Sequence, residues 1–499
     1  MFASIILGVL SFSTTVERLT PDPVLREFNR AALSVADFQF KREKLGAELI
    51  PKLVELAKKA NSLKGFASRD RCYRVILSLD FEHNGARRGL KSRKVDGVWV
   101  APPPKRPAKD ATSRRVTKLA AELDEHVTGY LNAMVPLIAE HGIELGPEGI
   151  DDAYRRVLLA DPDNGEIRAL IGESKLGDRW VMIETAKSVE RRGSLLTIAR
   201  NAYEAVGRLE TVEAEGFELQ TGMPWSVGYQ TSRVRCFGTG GAGEVEQILR
   251  ASHAMGDLIE AALGRPIALA RDHAIYSLAS EAEKAPFLKS LPRARKETSN
   301  VLAAANGGWL GHGNRFGVWS EDVPRRVDGA TRATVNQYLQ NGFKISLRHG
   351  WASEGIGLYL VETMVGTHLT WFTKVERYII QNDGGKATMS IENPDLDWMQ
   401  AGRELLTSAD APHLGLLLGR RVSTMSSLDL IHAYVLAAYL IEGRSQELPL
   451  LLETIGKNGN PTKAFELILG EKLPVIEMRL RDWVVQRAEF EESLKAAED

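Results

Sequence analysis

The chain has 499 residues, more than one hydrophobic core usually organises, so two or three domains are expected. Its 64 basic and 65 acidic residues nearly cancel, which argues against a dedicated nucleic-acid binder. Cys72 and Cys236 stand far apart outside any CxxC pattern, so they build neither a disulfide framework nor a zinc finger and are expected as buried thiols.

Residues 1–13 form an apolar run too short to span a bilayer and of the length of a signal-peptide core, although no Lys or Arg precedes it. Export to the periplasm or cell envelope is expected, with residues 1–19 as a possible signal peptide. A buried first strand, in a cytoplasmic protein, is the alternative. No later stretch has the eighteen or so uninterrupted apolar residues of a spanning helix, so an integral membrane protein is not expected.

An internal repeat follows. At an offset of 81 without gaps, Tyr73, Arg74, Leu77 and Asp80 align with Tyr154, Arg155, Leu158 and Asp161; further on, Arg87, Lys94 and Trp99 align with Arg168, Lys175 and Trp180. Each copy reads as an apolar helix, an Asp-anchored turn (161–164 in the second), a second helix, and a Gly turn before Trp-Val. It resembles the tetratricopeptide kind of helical hairpin, and two copies imply a small helical module for docking, spacing or plain packing. Residues 20–120 are expected as the first unit and 121–185 as the second. Between the copies, residues 101–110 are Pro-rich and should form an extended linker. Basic residues crowd around it, among them Arg87, Arg93, Lys105 and Arg114, and read as a solvated face more readily than as a polyanion site.

Gly238, Gly240 and Gly243 spell GxGxxG between a strand-like 233–237 and a helix over 244–263. A dinucleotide site needs such a turn. The strand, however, alternates Val234 and Cys236 with Arg233 and Arg235, as a half-buried antiparallel strand does, and Glu244 and Glu246 stand where phosphates would bind. Nucleotide binding is therefore the lesser alternative.

Residues 266–270 read as a strand, 280–290 as a helix, Gly307 and Gly308 as a turn, and 315–319 as a second strand. About 329–341 reads as a helix, with Ala330, Thr334, Val335, Tyr338 and Leu339 at i, i+4 and i+8 spacings. Trp351, Glu354 and Gly355 form a Trp-x-x-Glu-Gly box opening another helix that runs apolar to Val365. Over roughly 216–484 this order resembles the peptidase-MA-like gluzincins, the HExxH metallopeptidases. The resemblance implies a first active-site helix presenting two zinc-binding histidines four residues apart and a second supplying a glutamate, which Glu354 matches. It places Thr331, Arg332 and Val335 at the first His, the general-base Glu and the second His. No histidine lies between His312 and His349.

A lone carboxylate is a poor zinc site, and a guanidinium can neither accept a proton from water nor tolerate a dication beside it. No catalytic residue, metal or cofactor is therefore expected, and an Arg332–Glu354 ion pair is expected to plug the old metal position. Ser353 and Glu354 also read simply as a helix start. Tyr338 and Trp351 are expected to line the retained cleft. The alternative is a zinc hydrolase rebuilt on His312, His349 and Glu354.

Residues 429–441 read as a long apolar helix carrying a core histidine, His432, followed by helices over 448–455 and 462–469 about a Gly-rich turn at 456–459. Neither a GxxxxGK[ST] loop nor a GxSxG elbow occurs. The sequence thus points to an α+β protein: helical repeats, then a zincin-like domain over 186–499. Its expected role is non-enzymatic binding or scaffolding toward a protein or peptide partner.

Overall fold

A computed structural model describes residues 23–95, 98–100, 108–269, 273–290, 309–312, 314–369 and 396–498. The apolar start, linker residues 101–107 and the Gly307, Gly308 turn lie outside the described residues. The fold is α+β, and the chain divides into two compact units, Met1–Trp180 and Val181–Asp499.

The first unit is built on α1 (Pro23–Ser62), α2 (Phe66–Leu79), α4 (Arg114–Glu140) and α5 (Gly142–Val157), which is two helices merged across Gly146. Leu53, Ile76, Leu123, Val127, Ile138 and Val157 share one apolar core. The two stretches set apart at residue 120 are therefore one body, because α1 packs against α2, α4 and α5 together. Asp110, at the end of the linker, accepts hydrogen bonds from the Ala67 and Ser68 amides at 2.7 and 3.1 Å and from Ser68 Oγ at 2.5 Å. These satisfy donors in the first turn of α2 that have no partner within the helix.

The two repeat copies end differently from the sequence reading. Each second helix has only six residues, α3 (Asn84–Gly89) and α6 (Gly165–Leu170), and hands over to a β-hairpin: β1 (Arg93–Val95) with β2 (Val98–Val100), and β3 (Glu173–Leu176) with β4 (Arg179–Met182). The copies share three matching side-chain bonds. His83 Nδ1 and Asn164 Oδ1 each accept a hydrogen bond from the backbone amide three residues on, at 3.1 Å, capping the short helix. Arg87 Nε donates to the Phe81 carbonyl at 3.0 Å and Arg168 Nε to that of Pro162 at 2.9 Å. The hairpin indoles of Trp99 and Trp180 donate to Glu82 and Asp163, both at 2.9 Å. Each ring lies near two cations, Arg87 and Lys94 or Arg168 and Lys175, at 5.5–5.8 Å.

The second unit carries a six-stranded sheet in the order β5-β6-β7-β8-β10-β9. β5 (Glu210–Thr211), β6 (Val227–Gln230) and β7 (Arg235–Gly238) run antiparallel; β7, β8 (Ala274–Leu278) and β10 (Arg315–Trp319) are parallel; β9 (Trp309–His312) is an antiparallel edge. The expected strand at 266–270 does not form: 266–269 is irregular, residue 270 lies outside the described residues, and the central strand is β8. Both segments are short apolar runs, but Pro266 removes a ladder donor, whereas every residue of β8 is buried and Ala274 to Ser277 are paired on both sides.

Helix α9 (Ala242–Leu263) packs on β6 and β7, and α11 (Val323–Phe343) on β8 to β10; α7 (Ile183–Ala205), α12 (Ile356–Val365) and α15 (Ser427–Gly443) build the apolar core beside them. α15 starts on a reciprocal Ser426–Asp429 capping box and is buried along nearly its whole length, so its sequence is apolar all round. α16 (Leu448–Gly456), α17 (Pro461–Leu469) and α18 (Leu473–Glu498) follow α15.

Two predictions follow from this packing. Arg87→Ala and Arg168→Ala should each destabilise the first unit by about 1–3 kcal/mol in urea unfolding, with Lys failing to rescue because it cannot both stack and reach the carbonyl. Arg168→Ala should cost more, since buried Glu173 also loses an ion pair. His432 is fully buried and neither ring nitrogen has a hydrogen-bond partner among the described residues; burial holds its pKa down to about 4, against the pull of Glu477 and Asp429. The unfolded chain takes up this proton near pH 6.5 and the folded chain only near 4, so stability present above 6.5 is lost as pH falls through that window. The loss reaches about 3 kcal/mol. His432→Leu should flatten that part of the pH–stability curve.

Candidate functional site

Helix α11 is polar on a face that is nevertheless buried. Asp328 and Arg332, one turn apart, are 0 and 1 % exposed, and they meet Glu354, 2 % exposed, from the following helical segment. That segment begins as a single π turn, Trp351–Gly355, before α12 continues in α form. Gly355 is required there: a Cβ would overlap the carbonyl of Ala433 on α15. Ser353 Oγ donates to Asn336 Oδ1 at 3.1 Å, tying the π turn to α11 a second time.

The guanidinium of Arg332 stands between the two carboxylates. Its Nη1 donates to Glu354 Oε2 at 3.1 Å, and its Nη2 lies 3.7 Å from Asp328 Oδ1 and donates to the Leu369 carbonyl at 2.5 Å. The other Asp328 oxygen accepts hydrogen bonds from Thr367 Oγ1 and the Leu369 amide, both at 2.9 Å. Burial raises the Glu354 pKa and the nearby Asp328 charge adds to this, while Arg332 opposes both.

The expected Arg332–Glu354 pair is thus present, but the register around it is not the expected one. Thr331 turns back to donate to the Val327 carbonyl at 2.7 Å, and Val335 is fully buried in the apolar core. The residue that faces Glu354 together with Arg332 is Asp328, one turn earlier. Opposite charges at i and i+4 were the available sequence signal.

Tyr338 and Trp351 do not line a cleft. They are 1 and 0 % exposed, both within the main core, with the Trp351 ring edge-on to Phe465 at 5.3 Å. Apolar spacing on a helix cannot separate a core face from a cleft face. His349 accepts a hydrogen bond from the Ser346 amide through Nδ1, and the His312 side chain lies outside the described residues. Among the described residues no three His, Cys, Asp or Glu side chains converge as a metal site.

The glycine turn is also filled from within. Glu244, in the first turn of α9, is buried; it accepts hydrogen bonds from Arg326 Nε at 2.7 Å and Nη2 at 2.5 Å, and from Ser277 Oγ. A Cβ on Gly240 would come within 2.8 Å of its carboxylate, so Glu244 occupies the side of the turn that a phosphate would need.

A further network, partly buried at Arg192 and Glu362 and buried at Glu442 and Arg487, links four helices. Arg192 of α7 pairs with Glu362 of α12 at 3.5 Å, and Glu362 accepts a hydrogen bond from the Tyr434 hydroxyl. Tyr359 donates to Glu442 at 2.9 Å, and Arg487 of α18 donates to the same carboxylate at 3.0 Å. Beside it, between α7, α9, α11 and α12, lies a half-open cavity of about 580 Å³. None of the charges of this network was singled out from sequence, because partners 45 or more residues apart leave no periodic trace.

Comparison with family models, curated proteins and solved structures returns no match for this chain.

Arg332→Ala would leave two buried carboxylates without their cation and should cost about 3–5 kcal/mol in thermal and urea unfolding. The apolar-neutral triple Asp328→Asn, Arg332→Met, Glu354→Gln should recover most of that loss. A single variant as stable as the parent would mean that the pair carries no structural weight.

Proposed function

We propose that the second unit is a metallopeptidase-like domain whose centre is occupied by an arginine side chain in place of a metal, and that the chain works by binding or scaffolding without hydrolysis. One observation carries this reading: Arg332 lies within a shell of Asp328 and Glu354, on two consecutive helical segments beside a mixed sheet. The donor set does not fit zinc. A guanidinium has no lone pair to offer and its charge repels a dication, and Arg332 itself stands where the resemblance requires the general base. A hydrolytic step therefore has neither a ligand set nor a base in these residues. A cell-envelope location belongs to the same proposal and rests on the apolar residues 1–13 alone.

The test is elemental analysis of the purified full chain after dialysis against a weak chelator, with His349→Ala and Glu354→Ala alongside, and an assay on an unfolded protein substrate such as casein. Zinc well below one ion per chain and no cleavage above the blank are expected. One zinc per chain, lost in either variant together with measurable cleavage, would replace this proposal by an active hydrolase.

A further inference from the structure

We propose that the cavity between α7, α9, α11 and α12 binds an α-amino acid with a bulky apolar side chain, its carboxylate on Arg200 and its ammonium on Glu204. The volume, about 580 Å³, lies in the range of small-molecule sites. Tyr203, Val327, Met364 and Val365 provide an apolar wall, half to fully buried, suited to a hydrocarbon or aromatic side chain.

Apart from the exposed Gln247, the polar groups of the cavity divide into two sets. Thr363 and Thr367 are committed to the protein: Thr363 Oγ1 donates to the Tyr359 carbonyl at 2.7 Å and accepts from Arg192, and Thr367 Oγ1 donates to Asp328. Arg200 and Glu204 are not committed. They stand at i and i+4 on α7, the spacing of a helical ion pair, yet they do not pair with each other, and neither has an ionic or hydrogen-bonded partner among the described residues. Neighbouring charges behave otherwise. Arg192 is paired with Glu362, and Arg250 with Glu246 at 2.8 Å.

A guanidinium and a carboxylate on side chains one helical turn apart are matched by one small group that carries both opposite charges as substituents of a single carbon. The α-carboxylate and α-ammonium of an amino acid meet that description. A fatty acid would leave Glu204 facing its own carboxylate, and a simple amine would leave Arg200 unmatched. Specificity then follows from geometry: two charges at the rim, a side chain against the apolar wall. The inference rests on none of the residues of the arginine-filled centre, so either proposal can fail without the other.

Isothermal titration of the full chain with L-phenylalanine and L-leucine, and with glycine, 3-phenylpropionate and 2-phenylethylamine as controls, tests it. The two apolar amino acids should bind at least about ten-fold more tightly than any control. Arg200→Ala should abolish the preference over the amine, Glu204→Gln that over the acid, and Val323→Trp, at an exposed wall position, should weaken all binding. Thermal melts confirm that these surface variants remain folded. Equal binding of the singly charged controls, affinity unchanged in Arg200→Ala and Glu204→Gln, or no heat at millimolar ligand would overturn the proposal.

Discussion

A guanidinium taken out of water is tolerable only if carboxylates and carbonyls replace its hydration, and Arg332 has both. Asp328 and Glu354 supply charge and the Leu369 carbonyl accepts a further bond. Because Asp328 also holds Thr367 and the Leu369 amide, the same cluster fixes the path of the chain where it leaves α12. Two helical segments and the chain at 366–369 are thereby held in one relative position. Removing Arg332 leaves both carboxylates buried without compensation, so the cluster depends on it as a unit.

The rest of the second unit follows the same rule on a larger scale. Glu244 and Arg326 tie the start of α9 to the start of α11, and the Arg192, Glu362, Glu442 and Arg487 network ties α7, α12, α15 and α18. Apolar packing between these helices is non-directional and would accept several registers; buried ion pairs with fixed hydrogen bonds accept very few. The close approach of Gly355 to α15 adds a steric condition of the same kind. Such a core has the geometry of a site without the freedom of one, and the solvent-facing cavity at its side is where chemistry with a ligand remains available.

In the first unit a short polar code does comparable work. An N-capping side chain, an arginine reaching back to the preceding turn and a hairpin tryptophan between two cations recur 81 residues apart with matching distances. Each copy is too small to bury a core alone, and the four long and medium helices supply it jointly. The repeated clasp fixes how each hairpin sits on its short helix, which apolar contacts alone would leave loose.

The sequence by itself determined the local elements: most helices of the second half, the strand at 315–319, the repeat and its turn chemistry, the burial of His432 and both cysteines. Those depend on periodicity, capping and composition, which are properties of neighbouring residues. The Arg332–Glu354 pairing was legible as well, through the Trp-x-x-Glu-Gly box. Tertiary structure alone decided that Asp328 completes that cluster, that Tyr338 and Trp351 are core, that β8 and not 266–270 is the central strand, and that Glu244 fills the glycine turn. Each of these turns on which of several equivalent helix faces or apolar runs meets which partner across the chain, and that choice is made by long-range packing and charge compensation.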